Sequence, residues 1–97
     1  MDDPKLQIDI RTEVANGQYS NLAIINHGPD EFVLDFVFVQ PANPKAEVVA
    51  RIVLSPGHAK RFLQAFTQNL ERYEGRFGVI RAPLPAPVAP ASAGDPN

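Results

Sequence analysis

Ten consecutive residues constrain this chain most: Glu31-Phe-Val-Leu-Asp-Phe-Val-Phe-Val-Gln40 reads as a strand that is apolar on both faces. Successive side chains on a strand point to opposite sides, so Phe32, Leu34, Phe36 and Phe38 line one face. Val33, Val37 and Val39 line the other, interrupted only by Asp35. A sheet with one wet face would carry polar residues there, and this strand does not. Each side therefore needs a cover, and the chain offers one long helix. A second copy of the protein is the expected source of the other.

The neighbouring segments supply a sheet around this strand. Leu6, Ile8, Ile10 and Val14 alternate with Gln7, Asp9, Arg11 and Glu13, the pattern of a first strand with one wet face. Asn16-Gly17 suits a two-residue hairpin turn with positive φ at both positions. A second strand spans residues 18–27, and Gly28-Pro29-Asp30 makes the next turn. Pro41 to Lys45 ends the two-faced third strand, because proline cannot donate to a ladder. A fourth strand, residues 47–54, carries Val48, Ile52 and Leu54 on one side and Val49 and Val53 on the other.

Ser55-Pro56 then opens a helix, with serine as cap and proline where no amide hydrogen is needed. Ala59, Phe62, Leu63, Phe66, Leu70, Tyr73 and Phe77 recur at steps of three and four and form one apolar stripe. Gly75 or Gly78 ends it. About 20 helical residues span roughly 30 Å, enough to lie along a whole strand. The expected fold is α+β: a four-stranded antiparallel meander followed by one long amphipathic helix packed on one face, with the other face in a homodimer interface. Residues 1–81 form the compact domain. Residues 82–97, with Pro83, Pro85, Pro87, Pro90 and Pro96 among alanines, form a disordered polyproline-type tail.

Turn lengths assign the faces. A tight turn at Gly28-Pro29-Asp30 sets Ile24 near Leu34 and Leu22 near Phe36, on the aromatic face that the helix stripe matches. The turn at Asn16-Gly17 places Ile8 and Ile10 opposite Ile25 and Ala23. Those residues belong to the aliphatic face, with Val33, Val37, Val39, Val49 and Val53, and this face is expected to meet its own copy across a two-fold axis. Asp35 and Arg51 are its polar members, brought together by the hairpin through residues 41–46. A cross-strand pair that fixes register outweighs a carboxylate tuned for chemistry.

Other chemistry is sparse. A net charge of -2 argues against a general nucleic-acid binder. With no cysteine there is no thiolate metal site or thiol nucleophile. His27 and His58 lack metal-ligand spacing, and no phosphate-loop, dinucleotide or nucleophile-elbow motif occurs. Tyr19-Ser20-Asn21 reads as turn and edge chemistry rather than a triad. Lys60 and Arg61 oppose the helix dipole, which suits a solvated face better than an anion or partner site. No catalytic residue, cofactor or metal is expected. With no apolar run near the ~18 residues of a membrane span, and no secretory pattern after Met1, a soluble cytoplasmic protein is expected.

Four blocks, Tyr19-Ser-Asn-Leu-Ala-Ile-Ile-Asn-His27, Glu31 to Pro41, Ser55-Pro-Gly-His-Ala-Lys-Arg61 and Asn69-Leu-Glu-Arg-Tyr-Glu74, together resemble the domain-of-unknown-function family 3467. These are short bacterial and archaeal proteins, and the resemblance covers roughly residues 10–80. It implies no known enzyme class and brings no catalytic or cofactor residue. The expected function is that of a non-enzymatic homodimeric interaction or adaptor module with an unknown protein partner. The alternatives are a chaperone-like binder of extended peptides, by architectural analogy with secretion chaperones, and a small-molecule site at the dimer seam built from Asp35, Arg51 and a histidine.

Overall fold

The structure, a computed structural model, describes residues 5–82. A single helical turn, α1 (Thr12–Ala15), precedes three strands, β1 (Leu22–His27), β2 (Phe32–Val39) and β3 (Ala46–Leu54), and a long helix, α2 (Pro56–Phe77). The strands form one antiparallel sheet in the order β1-β2-β3, with the two-faced strand in the middle. The α+β class and the meander hold, with three strands rather than four. The proline-rich tail lies, from residue 83, outside the described residues.

The segment expected as a first strand is not one. Residues 5–11 join no helix or strand, and Leu6, Ile8 and Ile10 are 84%, 84% and 66% exposed. Alternation specifies a strand only where a ladder partner takes up its backbone groups, and here the chain turns away first. The Val14 and Ala15 N–H groups both donate to Arg11 O, which winds Thr12–Ala15 into α1. Asn16 then sits in the right-handed region at φ −74°, and only Gly17 takes positive φ, at 77°. The hairpin turn expected at Asn16-Gly17 needs positive φ at both positions, so it does not form, and Ile8 and Ile10 do not face Ile25 and Ala23.

The turn after β1 sets the register of the sheet. Gly28 N–H donates to Glu31 O at 3.0 Å, closing a loop whose central residues are Pro29 and Asp30. Proline presets the first central position, so the loop centres between Pro29 and Asp30, not on Pro29. Ile25 therefore pairs with Leu34, Ile24 with Asp35, Ala23 with Phe36 and Leu22 with Val37. This is one residue away from the expected register, and a slip of one exchanges the faces of a strand. Ala23 and Ile25 stand on the aromatic face, Leu22 and Ile24 on the aliphatic one.

A second irregularity lies in β3. Phe36 pairs with Ala50 but Val37 with Val48, leaving Val49 as the extra residue of a β-bulge. Val49 lines a hollow with Phe36, Ala50 and Ile52, so it leaves the aliphatic set in which its number parity placed it.

The start of α2 follows the sequence reading. Ser55 is extended and its hydroxyl accepts the His58 N–H at 3.2 Å, with Pro56 at the first helical position. Gly78, at φ 101°, ends the helix and donates its N–H to Glu74 O at 2.9 Å. The Glu74 carboxylate also accepts the Ile80 N–H at 3.0 Å. What α2 does not do is lie along the sheet. No α2 residue is buried, and Ala59 in its first turns is the half-buried member of the apolar stripe. The helix is about as long as β3, so its exposure comes from its direction: only its first turns stay near the sheet, at Leu54 and Phe32, and the later turns lead away. The core is correspondingly small: Leu34, Val37 and Leu54 are the buried apolar residues among those described. Ser55→Ala removes the cap of this element and is expected to cost about 1 kcal/mol in urea or thermal unfolding, with unchanged strand content by circular dichroism.

Candidate functional site

The aromatic face and α2 form an open apolar groove. Ile25, Phe32, Leu34 and Leu54 make its floor, Phe62 and Phe66 its helical wall, and Lys60 stands on its lining; its volume is about 440 Å³. A second hollow of about 570 Å³ continues over the same face, between Val14 of α1 and Phe36, Val49 and Ile52. The floor is half open, with Ile25 53% and Ile52 45% exposed. Beyond the groove, Leu70, Tyr73 and Phe77 extend the stripe at 41%, 50% and 65% exposure. Phe62 stacks near Phe66, with ring centres 5.8 Å apart, and Tyr73 near Phe77, at 5.0 Å. These aromatic pairs fix the stripe as a continuous surface without covering it.

The aliphatic face is organised around an ion pair. Arg51 Nε donates to Asp35 Oδ1 at 2.6 Å and an Arg51 terminal nitrogen to Oδ2 at 2.8 Å, a two-pronged contact between directly paired residues of β2 and β3. Asp35 is buried, while the Arg51 side chain remains 64% exposed. The hydrogen bonds from Arg51 hold the Asp35 carboxyl below its ordinary range, against desolvation that pushes it up. The same bonds raise the guanidinium. Of the valines expected on this face, Val37 is buried, Val33 and Val39 are half-buried, and Val53 is exposed.

Ser20 and Asn21 tie the beginning of β1 to β2. The Ser20 hydroxyl shares its one proton between the carbonyls of Leu22 and Val37, at 3.0 and 3.1 Å. The Asn21 amide accepts the Val39 N–H and donates to Val39 O, both at 2.9 Å, so a side chain copies one rung of the ladder. These residues do edge chemistry. Tyr19 packs edge-on against Phe38, with ring centres 6.0 Å apart. His27 packs beside Phe32, and His58 gives its backbone N–H to the α2 cap. Among the described residues no group of three or more His, Cys, Asp or Glu is placed to hold a metal. Lys60 reaches the groove, whereas Arg61 folds back over Gly57. The sequence joined Asp35 with Arg51 correctly. It missed the groove, because it assigned α2 to cover the surface that α2 leaves open.

A three-stranded open sheet with a projecting amphipathic helix defines a small α+β domain whose apolar surfaces exceed what one chain covers. A family model described as a protein of unknown function (DUF3467) matches residues 1–82, and the chain belongs to that family. No curated protein and no solved structure matches the chain. Among the described residues no helix is long and apolar enough to cross a membrane.

The ion pair has a pH signature. Because the folded Asp35 carboxyl titrates below its ordinary value of 3.8, the unfolded chain takes up the proton first as pH falls. The pair's stabilisation is complete above that value and is lost as pH drops through the lower folded one. Asp35→Asn should remove this acid-side slope, while wild-type protein loses stability below pH 4 or so, measured by urea midpoints at a series of pH values. An equal slope in both proteins contradicts the assignment.

Proposed function

We propose that this protein is a non-enzymatic, cytoplasmic interaction module that works as a homodimer, joined through the α2 stripe and the open aromatic face. The observation that carries the reading is the stripe itself: Phe62, Leu63, Phe66, Leu70, Tyr73 and Phe77 are core-type residues, each between 41% and 65% exposed. A contiguous apolar patch of this size marks an association surface. Covering the stripe in both copies would remove roughly 500 Å² of apolar area from each, a gross gain on the order of 25 kcal/mol for the dimer against association costs of about 4–15 kcal/mol.

A second copy fits this surface because one chain carries both halves, a helical ridge and an uncovered sheet face, as a two-fold contact requires. Charge supports an antiparallel approach of the two helices. Lys60 and Arg61 join the positive end of the α2 dipole, and an antiparallel approach with a two-fold axis near Phe66 sets them beside the partner's negative helix end, whose own side chains (Glu71, Arg72, Glu74 and Arg76) sum to zero. The aliphatic face, assigned to the interface on sequence grounds, has less need of cover, since Val37 and Asp35 are already buried and Arg51 reaches water.

Sedimentation equilibrium at micromolar concentration should show a dimer. Leu70→Asp and Tyr73→Asp alter side chains that do not line the groove within one chain, so their effect reads association rather than folding. Each should raise the dissociation constant by about 30-fold or more, the size of an interface hot spot, with an unchanged far-ultraviolet spectrum. A monomeric wild type overturns the reading.

A further inference from the structure

We infer that Leu6–Ile10 of one copy adds as a fourth strand along the outer edge of β1 in the other copy; this rests on the homodimer reading. Leu6, Ile8 and Ile10 are among the most exposed large apolar residues, and they alternate with Gln7, Asp9 and Arg11. A period of two with one dry side is useful only to a strand that has found a ladder.

The acceptor is chosen by comparing the two sheet edges. The edge strand β3 carries a bulge at Val49 together with Glu47 and Arg51, features that discourage pairing. The other edge strand, β1, reads Leu22-Ala-Ile-Ile-Asn-His27 and pairs with β2 in unbroken register. It carries no lysine, arginine, acid, proline or bulge. An edge this flat and uncharged is a template for another strand. Its six residues span about 20 Å and the five of Leu6–Ile10 about 17 Å, so the lengths agree.

Side-chain direction agrees as well. Ile25 is 53% exposed and stands on the groove side of β1. An added strand with Leu6, Ile8 and Ile10 on that side extends the groove floor and turns Gln7, Asp9 and Arg11 to the opposite side. The strand must come from a second copy because α1 holds the chain elsewhere. Within its own chain residues 5–11 join no strand, and Glu13 and Val14 line a hollow over the sheet face, with Ser20, Phe36 and Ile52, rather than standing along the outer edge of β1. Area points the same way. The stripe alone falls short of the ~800 Å² per partner of a standard stable interface, and the roughly 300–400 Å² of the added strand brings the total to about that size.

The test uses the absence of cysteine from the sequence. Ile8→Cys and Ile25→Cys are made in separate full-length chains, mixed, and treated with a short bis-maleimide. The expected product is a heterodimer joining the two variants, well above the yield of either alone. Crosslinks confined within the double variant I8C/I25C, or no crosslink in a sample that sedimentation shows to be dimeric, overturn the strand addition and leave the α2 interface standing. A monomeric sample overturns both. Hydrogen exchange on unmodified protein gives a second readout: amides of residues 6–10 and of β1 should slow as concentration rises through the dimerisation range, and fast exchange at high concentration contradicts the inference. Ile8→Pro removes a ladder donor and should raise the dimer dissociation constant about tenfold.

Discussion

The two-sided apolar character of β2 is the constraint from which the rest of the molecule follows. Flanked by β1 and β3, this strand buries Leu34, Asp35 and Val37 chiefly by its place at the centre of the sheet. Its neighbours are left half open on both sides. Among the described residues, the cover supplied from outside the sheet is the start of α2 over Phe32, Leu34 and Leu54, and α1 near Phe36 and Ile52. A small domain already buries a modest share of its surface, so each uncovered residue weighs heavily. The ladder determines which groups are left in water, and those groups determine what the protein can bind.

Local chemistry was legible wherever it depends on a few adjacent residues. Ser55-Pro56 begins α2 and Gly78 ends it, because a cap and a positive-φ stop are properties of the residues that form them, although Gly78 at φ 101° and ψ 162° is extended rather than left-handed helical. The Asp35–Arg51 pair was also legible, since those two positions face one another across a hairpin whose strands announce themselves by composition. The register of β1 was less so. Whether Gly28-Pro29-Asp30 centres on Pro29 or on the bond after it changes the chain by half a residue and exchanges Ile24 for Ile25 on the aromatic face. The bulge at Val49 depends on sheet twist, which parity along a strand cannot express.

The N-terminal segment shows a different limit. Leu6, Ile8 and Ile10 have the pattern of a strand, and the pattern reports what kind of partner the segment suits, not where that partner is. A single chain's sequence does not distinguish a hairpin within one molecule from a strand given to another. The same holds for α2. Its stripe is as long as a strand and reads as core, yet the stripe alone says nothing of whether the surface that buries it belongs to the same chain.

Of the two faces, the aromatic one has the greater need of a partner, and the reason lies in how each meets water. On the aliphatic face the Arg51 guanidinium stays solvated while it shields Asp35, and its stem can lie over neighbouring apolar groups. A face built in this way tolerates exposure, and a dry partner placed over it would have to desolvate a charge. The aromatic face carries its charged groups at the margins, Glu13 beside the second hollow and Glu47 opposite Phe38, while its groove is lined by Ile25, Phe32, Leu34, Leu54, Phe62 and Phe66, with Lys60 the charged residue on the lining. Large rings half in water lose the most by remaining there, because apolar transfer scales with area. The asymmetry between the faces therefore favours an assembly that closes the groove and leaves the ion pair at its outer surface.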